Sequence, residues 1–299
     1  MRVLVSGASG MLGIDVMRAG ARAGHELIGL ARGQMDITDE AAVTGMFARL
    51  HPDAAVNCAA WTDVDGAESA RDRAREVNGA GAGNVARAAA AAGVACVHVS
   101  TDYVFSGEAP TDTAGDARPY VESDAPDPRS AYGATKLEGE RQVLAASARH
   151  AVVRSSWLFG TDGANFVDTM LRLAEEGAGR HGSGGAPAGP AASVRVVSDQ
   201  IGSPTWTGHL APALIKVLER ELAGLLHLAG SGHVSWNAFA KEIFRQAAID
   251  CLVEAVTSAE MARPAPRPAW SALESERRDS EPLPDWREGL AGYLAARLR

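Results

Sequence analysis

The short apolar run Arg2-Val-Leu-Val-Ser6, followed at once by Gly7-Ala-Ser-Gly10-Met-Leu-Gly13, constrains this chain more than any other segment. It reads as a buried strand that turns through glycines directly into a helix. In that setting the glycines serve different ends. Gly7 permits a tight turn, Gly10 lets the backbone approach a pyrophosphate, and Gly13 lets the helix pack close to the strand. The helix N-terminus, with Met11 and Leu12 in its first turn, then faces the anion with free N–H groups. The spacing is G-x-x-G-x-x-G. Strand, glycine turn and helix in this order predict a dinucleotide-binding start to an α/β fold.

The same alternation recurs along the chain. Strands are expected at Glu26 to Leu30, Ala54 to Ala60, Ala95 to Ser100 and Ala151 to Ser155. Helices are expected from Thr38, as cap, to about Leu50, from about Ala70 to Ala92, and from about Tyr132. Alternating strands and helices imply a doubly wound, Rossmann-like parallel sheet, whose right-handed crossovers bring every strand's carboxyl end to one edge, where ligands bind. The dinucleotide-binding domain is expected to span 1–156 and about 163–198. A smaller C-terminal α/β lobe, 199–299 with 157–162, is expected to hold the substrate. It contains helices at His209 to Glu221, at Trp236 to Ala247 and from about Trp286, with Pro264, Pro266 and Pro268 breaking regularity before the last. Strand–helix alternation stops in this final third. The Gly/Ala/Pro/Ser-rich stretch from Glu175 to Ser193 reads as a flexible surface insertion, and Val194 to Val197 as a strand after it.

Two further segments carry chemistry. Tyr132 and Lys136 lie four residues apart and share one face of a helix. An ammonium beside a phenol favours the phenolate, so Lys136 is expected to lower the Tyr132 pKa toward neutrality and make it a general acid. Ser100 or Thr101, at the end of the apolar run, can hold a substrate oxygen beside it; together these describe carbonyl reduction. The second strand ends Leu30-Ala31-Arg32, without the carboxylate that would bind a ribose 2′-hydroxyl and with an arginine suited to a 2′-phosphate. NADPH is the expected cofactor, with NADH left open.

With 46% apolar and 22% charged residues the 299-residue chain can bury a sizeable core, and a net charge of -8 with scattered basic residues argues against nucleic acid and anionic membranes as partners. There is no apolar run long enough to cross a bilayer and no secretory leader, which points to the cytoplasm. Cys58, Cys96 and Cys251 stand apart without C-x-x-C pairing and read as small buried hydrophobes.

Eight ordered segments resemble the dTDP-4-dehydrorhamnose reductase family of the extended short-chain dehydrogenase/reductase superfamily. They are Gly7 to Gly13, Asp36-Ile-Thr-Asp39, Asn57 to Asp65 with Glu68, Ser100 to Gly107, Tyr132 to Lys136 with Gly139-Glu140, Arg154 to Trp157, Asp199 to Thr205, and Arg267-Pro-Ala with Leu273. The resemblance implies reduction of the C4 ketone of a dTDP-4-keto-6-deoxyhexose, with Thr101, Tyr132 and Lys136 as the catalytic set. It implies that Lys136 also holds the ribose, that Asp36 and Ile37 flank the adenine, and that Ala59 and Ala60 line the cofactor. Val64, Asp102, Tyr103 and Trp157 would meet the sugar, and Asn165, Gln200 and Arg267 the nucleotide diphosphate. Tyr103 stands where related dehydratases carry a glutamate, which favours simple reduction. Some members of the family dimerise around a divalent cation, so a homodimer is one expectation; no carboxylate cluster identifies metal ligands. The stretch Glu108 to Asp127 is longer than the family pattern and borders the catalytic helix, which suits a modified deoxysugar.

Plainer roles compete at several positions. Trp157 and Tyr103 also suit a core, Asp63, Asp65 and Glu68 suit helix caps, and His98, within an apolar strand, suits a packed and hydrogen-bonded histidine. Asn78 is expected to anchor the glycine turn. A non-catalytic regulatory chain resembling that of methionine adenosyltransferase, and a nucleotide-sugar epimerase, remain the alternative functions.

Overall fold

The computed structural model describes residues 1–179 and 192–298. Five strands, β1 (Arg2–Ser6), β2 (Glu26–Leu30), β3 (Ala54–Asn57), β4 (Ala95–Thr101) and β5 (Ala151–Ser155), form a parallel sheet in the order β5-β4-β3-β1-β2. The chain runs from β1 to β2 on one side and crosses back to β3 on the other. The carboxyl ends of β1 and β3 therefore border the crevice where such sheets bind ligands.

A sixth strand, Gly224–His227, pairs in parallel with β5. The helix Thr207–Glu219 lies on the same face of the sheet as α1 (Met11–Arg22). Its Leu210, Leu214 and Ile215 share a core with Val3, Val5, Leu12 and Val16. Strand–helix alternation thus continues past residue 199, against expectation. The strand is four residues long and is bounded by Gly224, too little for periodicity to reveal. Conversely, the helix Phe166–Gly179 and the strand Ser193–Val197 belong to the C-terminal core. There Val167, Met170, Val194 and Val196 pack with Phe239, Ile243, Trp286 and Leu290, and the strand pairs with Leu252–Val256. The expected insertion falls mostly on 180–191, outside the described residues, although 175–179 are helical.

Two other expectations change. Asp39, not Thr38, caps the helix Glu40–Leu50 by accepting from the Ala42 amide at 3.0 Å. The helix expected over 70–92 is broken into Arg71–Arg75, a wide π turn Glu76–Gly81, and Ala82–Ala91. The wide turn carries Asn78 and packs against the helix Ala131–Ala146, where Gly139 lies so close to the Asn78 carbonyl that a side chain there would collide.

Candidate active site

Four loops meet at the carboxyl edge of the sheet. Gly7 adopts φ 71°, a left-handed conformation that only glycine takes freely, and a Cβ there would come within 2.6 Å of the Ala59 amide. The glycine turn and the end of β3 are therefore in direct contact, with Ala59 beside the turn and Ala60 next in the chain. α1 begins at Gly10 with no side-chain cap and no acidic residue in its first turn. A Cβ on Gly10 would meet only the Gly7 carbonyl within 4 Å. Uncapped N–H groups at an open mouth are what a diphosphate requires, so the residues present fit a dinucleotide.

Asp36 accepts from the Thr38 amide and hydroxyl at 3.0 and 2.8 Å, which holds its carboxyl below the usual range, and from Arg32 Nε at 3.3 Å. The rest of the Arg32 side chain is exposed. The Ile37 side chain is buried among Leu4, Leu30 and Met35, which leaves only its backbone to face an adenine. Asn78 does not hold the glycine turn. It accepts from the Trp61 amide at 2.8 Å and donates to the Trp61 carbonyl and to Thr135, tying the loop after β3 to the Tyr132 helix.

That helix starts at a Ser130 cap, whose hydroxyl accepts from Gly133, and its first amide, Ala131, donates to Glu68 at 2.7 Å. Glu68 is thus a positioning residue for the Tyr132 helix, where sequence offers it a capping role at its own helix or a contact to substrate. Asp63 does cap, accepting from Gly66 at 2.8 Å. A side chain on Gly133 would collide with the Tyr103 carbonyl, so the helix docks tightly on the end of β4. Behind it, Arg154 of β5 and Glu140 form a two-bond ion pair at 2.9 and 2.7 Å, both side chains 3% exposed, with the guanidinium over the Phe105 ring.

Thr101 and Tyr132 meet here, with Lys136 one turn further along the helix. Thr101 Oγ1 donates to Asp102 Oδ1 at 2.9 Å, accepts from the Tyr103 amide, and lies where it favours the Tyr132 phenolate. Burial is the stronger influence and pushes the Tyr132 hydroxyl up to about 12; the expected lowering by Lys136 is not found. The reason is geometric. Lys136 Nζ turns instead to the Val99 carbonyl at 2.7 Å and His98 Nε2 at 3.2 Å, and burial lowers its own pKa to about 8. His98 is the fully buried, hydrogen-bonded core histidine expected. Burial also lifts Asp102 to about 6, against help from the Ser271 and Thr101 hydroxyls. Ser271 lies near without being aligned to donate, so Oδ2 has no hydrogen-bond partner among the described residues. The Tyr103 ring meets the Tyr132 ring edge-on at 5.5 Å.

Of the remaining residues, Val64 opens the helix after β3 and Trp157 stacks on Trp236 at 3.5 Å and 4°. Trp157 holds φ 47°, a conformation that costs an aromatic residue on the order of 1 kcal/mol and is sustained by that packing. Asn165, expected at the diphosphate, is bonded within its own lobe. Its Nδ2 lies within 2.9–3.2 Å of the Gly160 and Gly163 carbonyls, Asp168 and Tyr293, while its Oδ1 caps the following helix, so the buried amide is fully engaged. Gln200 Nε2 donates to Ser258 at 2.8 Å. Arg267 spends its fork on Asp65, two bonds at 2.8 Å, clamping the C-terminal segment to the helix after β3. The stretch Glu108 to Asp127 is pinned by Tyr120, which stacks on Phe105 and donates its amide to the Ala272 carbonyl. Cys58 and Cys96 are held up to about 12 by burial, as expected of inert thiols.

A family profile described as RmlD substrate binding domain matches residues 1–298. The dTDP-4-dehydrorhamnose reductase of Streptomyces griseus is 42% identical over 99% of this chain and 93% of its own. The crystal structure of a dTDP-4-dehydrorhamnose reductase from Clostridium acetobutylicum superimposes with a TM-score of 0.90 at 37% identity, covering all of both chains. One from Bacillus anthracis, solved in complex with NADP, gives 0.89 at 34% identity over 99% of each. With this fold, this sheet edge and these relatives, the chain belongs to the dTDP-4-dehydrorhamnose reductase family.

Proposed function

We propose that this protein reduces the C4 ketone of a dTDP-4-keto-6-deoxyhexose with NADPH, NADH being an alternative donor. The observation that carries the reading is the meeting of Thr101 and Tyr132, one helical turn from Lys136, at the sheet edge that also carries the uncapped glycine turn, in a chain whose relatives are reductases of this kind. Nicotinamide, when bound, supplies the hydride. The protein's own contribution is the proton: burial keeps Tyr132 in its acid form at working pH, ready to donate from Oη to the ketone oxygen. Thr101, its oxygen held by the Tyr103 amide, turns its one hydroxyl hydrogen from Asp102 toward the Tyr132 oxygen and so steadies the phenolate left behind.

Gly7, Gly10, Met11, Leu12 and Gly13 take the diphosphate, Arg32 the 2′-phosphate, and Ala59 and Ala60 the cofactor's inner face. Val64, Asp102, Tyr103 and Trp157 serve the sugar. Arg267 keeps only what its Asp65 pair leaves free for a diphosphate. The dinucleotide half takes in 207–227, and the substrate half takes in 163–179 and 193–197. The reading includes a cytoplasmic location and a homodimer, tested by fractionation and sedimentation. Among the described residues no helix is long and apolar enough to cross a membrane. Mixing the protein with NADPH and a panel of dTDP-4-ketosugars tests the function: loss of reduced-nicotinamide absorbance is expected with at least one, and none with any overturns it.

A further inference from the structure

Beyond the carboxyl end of β2, Asp36 is met by two guanidinium groups from distant parts of the chain. Arg32 Nε, four residues back, lies 3.3 Å from Oδ2, and Arg73 Nη2, from the short helix Arg71–Arg75 that follows β3, lies 3.9 Å from the same oxygen. The carboxylate is a fixed post, since Oδ1 accepts from the Thr38 amide and hydroxyl. The approach of the helical segment is fixed too. Asn84 Nδ2 donates to the Ile37 carbonyl at 2.8 Å, and a Cβ on Gly81 would come within 2.8 Å of the Ile37 side chain, so the segment that carries Arg73 is docked on the residue next to Asp36. The three arginines of the short helix part company. Arg71 bonds Glu68 at 2.7 Å and Arg75 bonds Glu138 at 2.8 Å, while Arg73 divides its fork between Glu76, bonded by Nη1 at 2.6 Å, and the Asp36 edge.

We propose that Arg73 is a specificity-determining residue for the phosphorylated cofactor, the second arm of a guanidinium pair that, with Arg32, grips the 2′-phosphate of NADPH. The inference rests on the 2′-phosphate role proposed for Arg32 and deepens it. Asp36 and Glu76 offset the two guanidinium charges, which lets the arms stand close together without repulsion. These pairs are exposed, with 69% of the Arg32 and 38% of the Arg73 side chain open to solvent, and exposed pairs are weak. Each guanidinium also has five donors, of which the carboxylates take only a part. A phosphate dianion offers both arms a charge-assisted, two-bond partner at once. The 2′-hydroxyl of NADH offers neither, so the pair favours the phosphorylated cofactor.

Calorimetric titration with NADP⁺ and with NAD⁺ tests this without turnover. The native protein should bind NADP⁺ the more tightly. Arg73→Ala should weaken NADP⁺ binding roughly tenfold and leave NAD⁺ binding within a factor of about two. Arg73→Lys, which keeps the charge and loses the fork, should fall in between, and Arg32→Ala combined with Arg73→Ala should erase the preference. Arg75→Ala, on the same short helix but paired with Glu138, should leave the ratio of the two affinities unchanged. Unchanged NADP⁺ binding in Arg73→Ala, a loss shared equally by both cofactors, as an arginine lying on the adenine would give, or native protein that binds both alike would each overturn the proposal. Arg73-dependent preference for NADP⁺ in a protein that reduces no dTDP-4-ketosugar would sustain it and sink only the reading of the reaction.

Discussion

The pair Arg154–Glu140 lends itself to a quantitative test, because Glu140 shares a helix with Tyr132 and Lys136 and anchors it to β5. Both side chains are 3% exposed, joined by bonds of 2.9 and 2.7 Å, and the guanidinium also lies 4.9 Å over the Phe105 ring. Glu140→Ala leaves that guanidinium buried with no carboxylate and only a long contact to His227 at 3.5 Å. Orphaning one partner of a buried pair costs roughly 3–5 kcal/mol. Glu140→Gln keeps one acceptor and should cost less, about 1–3 kcal/mol. Replacing both residues, Glu140→Leu with Arg154→Met, removes the desolvation cost along with the attraction, and should destabilise less than Glu140→Ala alone. Urea unfolding of the four proteins gives the free energies. At roughly 2 °C per kcal/mol for a chain of this size, Glu140→Ala should also melt roughly 6–10 °C lower. A loss under about 1 kcal/mol for Glu140→Ala, or a double variant less stable than the single one, would refute the reasoning that the pair is buried and mutually dependent.

Other outcomes follow from the same geometry. Tyr132→Phe should fold normally and lower kcat by roughly 10² to 10⁴, and full activity would remove the phenol from the chemistry. Arg32→Ala should raise KM for NADPH by roughly tenfold while leaving KM for NADH within a factor of about two, the value of one exposed charge-assisted contact to phosphate; equal effects on both would discard the 2′-phosphate role. Because the Lys136 pKa falls in the folded protein from 10.5 to about 8, the unfolded chain binds more protons between those values and stability rises with pH there. Relative to Lys136→Met, the native protein should gain about 3 kcal/mol between pH 8 and pH 10.5 in denaturant titrations, and a flat difference would contradict the burial of a titrating amine.

Local pattern carries much of this fold. The glycine turn, β1 to β5 and the shared face of Tyr132 and Lys136 depend on residues within a few positions of one another, so periodicity and turn chemistry suffice to find them. The features that escape local pattern depend on distant partners or on burial. Asn165 suits a polar site by type, yet its amide is consumed partly by Tyr293 from the far end of the chain. Arg267 suits a phosphate, yet Asp65 reaches it across 202 positions. The sign of the Tyr132 shift is not legible in sequence, because a helical spacing of four says that Lys136 is near, not that its amine turns toward β4, and says nothing of desolvation. Glu68 escapes local pattern in the same way, since the Ala131 amide that it takes lies 63 positions further along the chain.

Transfer of a deuterium label from the nicotinamide C4 position of NADPH into a dTDP-4-keto-6-deoxyhexose, with the sugar product read by NMR, bears on the proposed chemistry without intermediary. Deuterium bonded to the sugar C4, transferred by the native protein and at least about 10²-fold more slowly by Tyr132→Phe, is the predicted result. Label that stays on the nicotinamide, or reaches C4 equally fast without the phenol, would contradict it.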